Sequence, residues 1–275
     1  MPESTDPRRP LADYKVLSFD VYGSLIEYKA HILSAFQPLL DRLPTSSPYL
    51  DGTPASNTVP KSASIGSIEF LKVFQKQEDA IKLEKPVRRF DEILAEIWRR
   101  IAKHLGVQSS EEEAKLFGSE GNIASWPCFE GTNEALKRLS RHYRLIALSN
   151  IDKYAWNITS NSQISGLNDV DWWKVFTAED FGDDARHADD IKLETMANFC
   201  RKNGVDKKEI LHVAQSLGHD QAPAKRLGIS SVWLIGDGPV WGKESESKMV
   251  LEKDLVGYAF KCRNLKEFAD LVEGS

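Results

Sequence analysis

Five short runs of almost unbroken apolar residues, at 15–21, 144–149, 175–178, 210–216 and 231–235, constrain this chain more than any other feature. Each has the length of a strand and carries the β-branched residues that pleated backbone favours. A strand with one wet face would alternate, so continuous runs indicate strands covered on both faces. Helix-compatible stretches lie between them, punctuated by sensible ends: Thr132 precedes NEALKRLSRHY, Asp152 opens an aromatic stretch, 193–203 runs into Gly204 and 222–227 into Gly228. Strand and helix in alternation predict an α/β fold built on a doubly wound parallel sheet.

More than a hundred residues separate the first run from the second, which predicts a module inserted after the first strand. Within it, residues 68–84, 90–105 and 111–122 place apolar side chains at intervals of three and four, the mark of amphipathic helices. Residues 44–64, PTSSPYLDGTPASNTVPKSAS, lose all period and read as a mobile loop. The expected division is an α/β core from 1–29 and 128–275, with a helical cap domain over 30–127.

A chain of 275 residues that is 41% hydrophobic and 28% charged can bury a substantial core. Its net charge of -5 has the wrong sign for a nucleic-acid partner. No apolar run approaches the roughly 20 residues that span a bilayer, so no membrane association is expected. The polar, proline-rich MPESTDPRRP reads as a short disordered lead rather than a secretory signal. Cys128, Cys200 and Cys262 are odd in number and lack metal-ligand spacing, which fits reduced thiols and a cytoplasmic location.

Ligands of open parallel sheets sit beyond the carboxyl ends of the strands, so the residues after each run are the candidate site. These are Asp20, Tyr22, Gly23 and Ser24 after the first, Ser149 and Asn150 after the second, and Gln215 through Asp220 after the fourth. An aspartate at a buried strand end, followed by Gly23 for a tight turn, has the geometry of a nucleophile. The bland alternative is a turn cap. Likewise Ser149 and Asn150 are donors for a substrate anion or a helix cap, and Asp220 orients Lys192 or a water or is another cap. His219 is a proton carrier or a structural hydrogen-bonder. Trp172 and Trp173 line an entrance or pack helix to strand. The pairs Asp183-Asp184 and Asp189-Asp190 read as solvated.

FDVYGSL, then ALSN, then a lysine, then HVAQSLGHDQAPAKRLGISSVWL resemble the four ordered motifs of the haloacid dehalogenase superfamily. Tyr22 resembles the haloacid dehalogenase branch, because superfamily phosphatases usually carry a second aspartate two residues after the nucleophile. The long last motif resembles dehalogenase-like proteins of fungi. The resemblance implies a hydrolase of a small molecule in which Asp20 attacks carbon and forms an aspartyl ester that water then cleaves. It implies Lys192 as the cation that holds Asp20 ionised and Asp220 as the group that positions lysine and water. Ser149, Asn150, Ser216 and His219 would contact substrate, with Tyr22 as a wall. No metal and no cofactor are expected, and a homodimer through cap helices is the implied self-association.

Three departures from the family pattern keep other readings open. Lys192 lies in DDIKLETMANF rather than beside proline and aspartate, which leaves Arg186 as a second candidate for its role. The stretch EFLKVFQKQED offers Phe74 and lysines where the dehalogenases carry a halide-receiving arginine. Gln215 and Leu217 replace small polar residues. A lyase or cyclase on the same fold and a non-catalytic binding protein therefore stay open. A phosphatase is disfavoured, since it would lack the general acid that Tyr22 replaces, worth about 10²- to 10⁴-fold in rate.

Overall fold

The apolar runs become the parallel strands β1 (Val16–Phe19), β2 (Arg144–Leu148), β3 (Trp172–Phe176), β4 (Ile210–Ala214) and β5 (Ser230–Leu234). The computed structural model describes residues 9–53, 64–84, 87–182, 189–236 and 255–274. A further strand, β6 (Phe260–Cys262), escapes a search for apolar runs because it is three residues long with a lysine at its centre. Strand β3 begins three residues before its run. Lys174 interrupts the apolar pattern there, and at the sheet's edge a half-exposed strand is tolerated. Trp172 packs edge-on against Phe19 of β1 and against Trp156, so it joins strand to helix as packing rather than lining an entrance.

The sheet order is β3-β2-β1-β4-β5-β6, and every neighbouring pair is parallel. Chain order reverses between β1 and β4, so a crevice opens beyond their carboxyl ends. Asp20 follows β1 and Gln215 follows β4, which places both beside that crevice.

Helices α1 (Lys29–Leu40), α2 (Ile65–Lys82), α3 (Phe90–Leu105), α4 (Glu111–Phe117) and α5 (Glu120–Ala124) fall between β1 and β2. The sequence hides α1, whose first turn has no side-chain cap and whose last turn contains Pro38. Helix α2 starts at a capping box made by Ser64 and Ser67, earlier than its apolar period suggests. Phe36 of α1 is the hub of this layer, with ring centroids 4.7 Å from Trp98, 4.6 Å from Phe117 and 5.2 Å from Phe70. Phe74 packs into the same cluster, against Phe36 and Phe117.

The single helix expected over 111–122 is two. Gly118 separates α4 from α5, and Ser119 caps α5. Only glycine fits at this break: a Cβ on Gly118 would stand 2.4 Å from the Asp91 carbonyl oxygen. Gly118→Ala should therefore destabilise the fold by about 1–3 kcal/mol, the usual cost of overpacking, visible as an earlier midpoint in urea unfolding.

Helices α6 (Thr132–Leu139), α7 (Lys153–Asn161), α8 (Asp189–Lys202), α9 (Ala222–Leu227) and α10 (Leu265–Glu273) complete the described elements. One face of the sheet, with Leu17, Phe19, Leu211 and Val213, shares an apolar core with α6, α7, α10 and the inserted helices. The other, with Val16, Ile146, Leu148 and Ile210, packs on Leu193, Met196 and Cys200 of α8. All three cysteines are free. Among the described residues, no helix is long and apolar enough to cross a membrane. Of the expected mobile loop, Pro48–Leu50 forms a 3-10 turn, whereas residues 54–63 lie outside the described residues, as do Arg186, Asp183 and Asp184.

Candidate active site

Asp20 leaves the sheet at the end of β1 with its N–H still donating to the Val213 carbonyl at 3.2 Å. The chain then reverses through Gly23, whose φ of 89° suits a residue without Cβ. That turn returns Ser24 to Asp20. Its hydroxyl donates to Asp20 Oδ2 at 2.7 Å and accepts from the Gln215 N–H at 3.0 Å, which ties the ends of β1 and β4 together. Sequence reasoning placed Ser24 at the strand end without a role; the signal was its spacing of four from Asp20 inside FDVYGSL.

Lys192, in the first turn of α8, is only 1% exposed, and its Nζ donates to Asp220 Oδ1 at 2.8 Å. Asp220 is delivered by a π-helical turn, Leu217–Gln221, between β4 and α9. The same Oδ1 lies 3.1 Å from His212 Nε2, and His212 Nδ1 lies 2.9 Å from Ser18 Oγ. Burial alone would raise the Asp220 carboxyl, but Lys192 and His212 outweigh it and hold it well below its ordinary range. Burial would also favour neutral Lys192, yet the Asp220 and Asp20 carboxylates keep it firmly protonated.

Asp20 behaves differently. Burial, reinforced by the negative charge of Asp220, pushes its carboxyl up to about 6, and the opposing pull of Lys192, Ser24 and His212 does not cancel this. Lys192 pulls Asp20 toward its ionised form, and burial together with Asp220 outweighs that pull. Any reaction that needs the Asp20 carboxylate should accelerate with pH through an apparent pKa near 6, read from a kcat/KM profile. Stability runs the opposite way. Because the folded value lies above the ordinary 3.8, Asp20's contribution is fullest below about pH 4 and is lost as pH rises through about 6.

Tyr22, two residues beyond Asp20, sits in an aromatic group. Its ring stacks on Phe90 at 5.7 Å and meets Trp126 and Tyr28 edge-on, while its hydroxyl is hydrogen-bonded to Thr159 Oγ1. Ser149 is buried at the end of β2, its Oγ accepting from the Ile151 N–H at 3.4 Å. The Asn150 amide beside it makes no side-chain hydrogen bond among the described residues. Asp152 caps α7 through Ala155 N–H and also accepts from Phe90 N–H at 2.6 Å, joining an inserted helix to the core.

The remaining candidates are not gathered at Asp20. Ser216 spends its hydroxyl as the cap of the π-helical turn, accepting from the His219 N–H. The His219 side chain is 65% exposed and lies 2.9 Å from Asp189, whose carboxylate raises it to about 8. Leu217 turns into a small apolar cluster with Trp233 and Val256. Gln215 Oε1 instead accepts from Lys29 Nζ at 3.3 Å, bringing the start of α1 to the strand ends. Lys29 carried no motif signal, since its proximity is purely tertiary.

A divalent cation of the kind used by phosphatases would need hard oxygen donors here. Asp220 Oδ1 already takes two nitrogen contacts, one from an ammonium, and position 22 supplies a phenol bonded to Thr159 rather than a carboxylate. Among the described residues, no three His, Cys, Asp or Glu side chains are grouped so as to hold a metal ion.

No protein-family model and no curated protein matches the chain. Solved structures do. The L-2-haloacid dehalogenase from Xanthobacter autotrophicus superposes with a TM-score of 0.62 at 16% identity, over 95% of this chain and 99% of that one. The same enzyme with chloropropionic acid covalently bound gives 0.61 at 16% identity, again over 95% and 99%. The putative HAD-hydrolase YfnB from Bacillus subtilis, bound to magnesium, gives 0.63 at 15% identity over 94% and 99%. With a six-stranded parallel sheet, helices inserted after its first strand and near-complete overlap with these structures, the chain has the haloacid dehalogenase-like fold.

Proposed function

We propose that the chain is a metal-independent hydrolase of the haloacid dehalogenase superfamily that works through an ester on Asp20. The observation that carries this reading is the pairing of Asp20 with Ser24 in front of the buried Lys192–Asp220–His212 cluster, with a tyrosine where a phosphatase needs its acid. Ser24 occupies Oδ2, so Oδ1 is the attacking oxygen. It forms a bond to an electrophilic carbon while the leaving group departs with the bonding electrons. Water then adds to the Asp20 carbonyl carbon and gives its proton to Asp220. The Asp20 Cγ–Oδ1 bond then breaks, the departing oxygen takes that proton back from Asp220 so that the substrate leaves as an alcohol carrying Oδ1, and Asp20, now with one oxygen from water, releases its remaining proton to solvent.

Lys192 balances the two carboxylates before attack, and Tyr22, Phe90 and Trp126 exclude water from the reacting carbon. Asn150, which follows β2, would be the donor to a substrate carboxylate or leaving group. The substrate class is a small acid with a leaving group on the adjacent carbon. Phe74, packed against Phe36 and Phe117 in the stretch where the dehalogenases carry a halide-receiving arginine, favours a second reading in which the same ester chemistry serves a leaving group other than halide.

A screen of 2-haloacids, phosphate esters and small esters in the presence of a metal chelator, with Asp20→Asn as control, tests the reading. Chelator-insensitive turnover that Asp20→Asn abolishes is the expected result. Magnesium-dependent phosphoester hydrolysis at useful rates would refute it.

A further inference from the structure

Ser18, His212, Asp220 and Lys192 form an unbroken hydrogen-bonded chain inside the sheet face that α8 covers. Ser18 of β1 and His212 of β4 are register partners, so their side chains leave adjacent strands on the same face. Both are fully buried among Val16, Ile146, Leu193 and Met196, where hydrocarbon would otherwise pack. A buried imidazole there is costly unless both ring nitrogens are satisfied, and both are.

The chain has one consistent polarity. Asp220 beside Lys192 is ionised and can only accept, so His212 Nε2 carries a proton and donates. In the neutral ring, Nδ1 then accepts from the Ser18 hydroxyl. Both donors to Asp220 fall on Oδ1, and Oδ2 has no hydrogen-bond partner among the described residues.

We propose that His212 is a positioning residue for ester hydrolysis: it fixes the plane of the Asp220 carboxylate so that Oδ2 meets the water attacking the Asp20 ester. The inference rests on the Asp20-ester reading. It separates the two half-reactions, because Asp220 Oδ2 has no part in the attack of Asp20 on carbon. Loss of the His212 donor should slow ester hydrolysis about 10- to 100-fold, the usual effect of removing a hydrogen bond to a charged group, and leave ester formation near its original rate.

The test compares wild type, His212→Phe, His212→Gln and Asp20→Asn with 2-chloropropionate, following turnover and, by intact-protein mass spectrometry of quenched samples, the covalent adduct. Expected are a lower kcat and an accumulated adduct in His212→Phe, and partial rescue in His212→Gln, whose amide can both donate to Asp220 and accept from Ser18. A purely structural role would not make the adduct accumulate. Reduced turnover without adduct, or unchanged kcat, in His212→Phe while Asp20→Asn is dead would overturn this inference alone. Turnover by Asp20→Asn would overturn the reading beneath it. A readout that needs no substrate and no variant is ¹⁵N NMR of the wild-type imidazole, where a proton on Nε2 is expected and a ring protonated only on Nδ1 would overturn the proposal.

Discussion

Asp20→Asn should abolish turnover, by at least about 10³-fold, and at the same time raise the protein's stability at neutral pH. Both effects follow from one arrangement. The amide keeps the size of the carboxylate and an oxygen for the Ser24 hydroxyl, but it cannot attack carbon. It also removes a negative charge that burial and Asp220 disfavour, as the rise of Asp20 to about 6 shows. Allowing for solvent at this partly exposed group, the gain at pH 7 is about 1–2 kcal/mol. Thermal unfolding at pH 7 and at pH 4 checks the sign: the variant's advantage should be present at pH 7 and largely gone at pH 4. An equal or lower Tm for Asp20→Asn at pH 7 would show that the carboxylate is not under strain.

Lys192→Met should be the most damaging single change to the fold. It leaves Asp220, 1% exposed, with the His212 contact as its only described partner. Removing one member of a buried ion pair typically costs about 3–5 kcal/mol, a large share of a domain's net stability. Restoring neutrality by adding Asp220→Asn should recover much of that loss, since the penalty comes from the stranded charge rather than from the missing packing. Urea unfolding of the two single variants and the double variant measures the coupling. Additive losses would mean that Lys192 and Asp220 do not stabilise each other.

The central strands, and with them the position of Asp20, were legible because continuous apolar runs have few alternatives to a doubly covered parallel sheet. Strand β6 and helix α1 were not, because three residues around Lys261 and a helix without a side-chain cap carry too little local signal. At the site, the resemblance of the ordered motifs pointed to Lys192, with Arg186 as the alternative, and the structure brings Lys192 to Asp220. His219 is a case where adjacency in sequence does not become adjacency in space. Next to Asp220 in sequence, it points outward to Asp189, because the π-helical turn sends successive side chains in different directions. His212 and Lys29 gave no signal, since one reaches Asp220 across a strand end and the other reaches Gln215 across 186 positions.

The most direct test of the Asp20 ester is a single turnover in H₂¹⁸O, with enzyme in excess over a substrate identified by the screen, followed by mass analysis of the peptide containing Asp20. The expected result is one ¹⁸O in the Asp20 carboxyl group and none in the alcohol formed. Label in the alcohol alone, with Asp20 unlabelled, would mean that water attacks the substrate directly and that Asp20 is not the nucleophile.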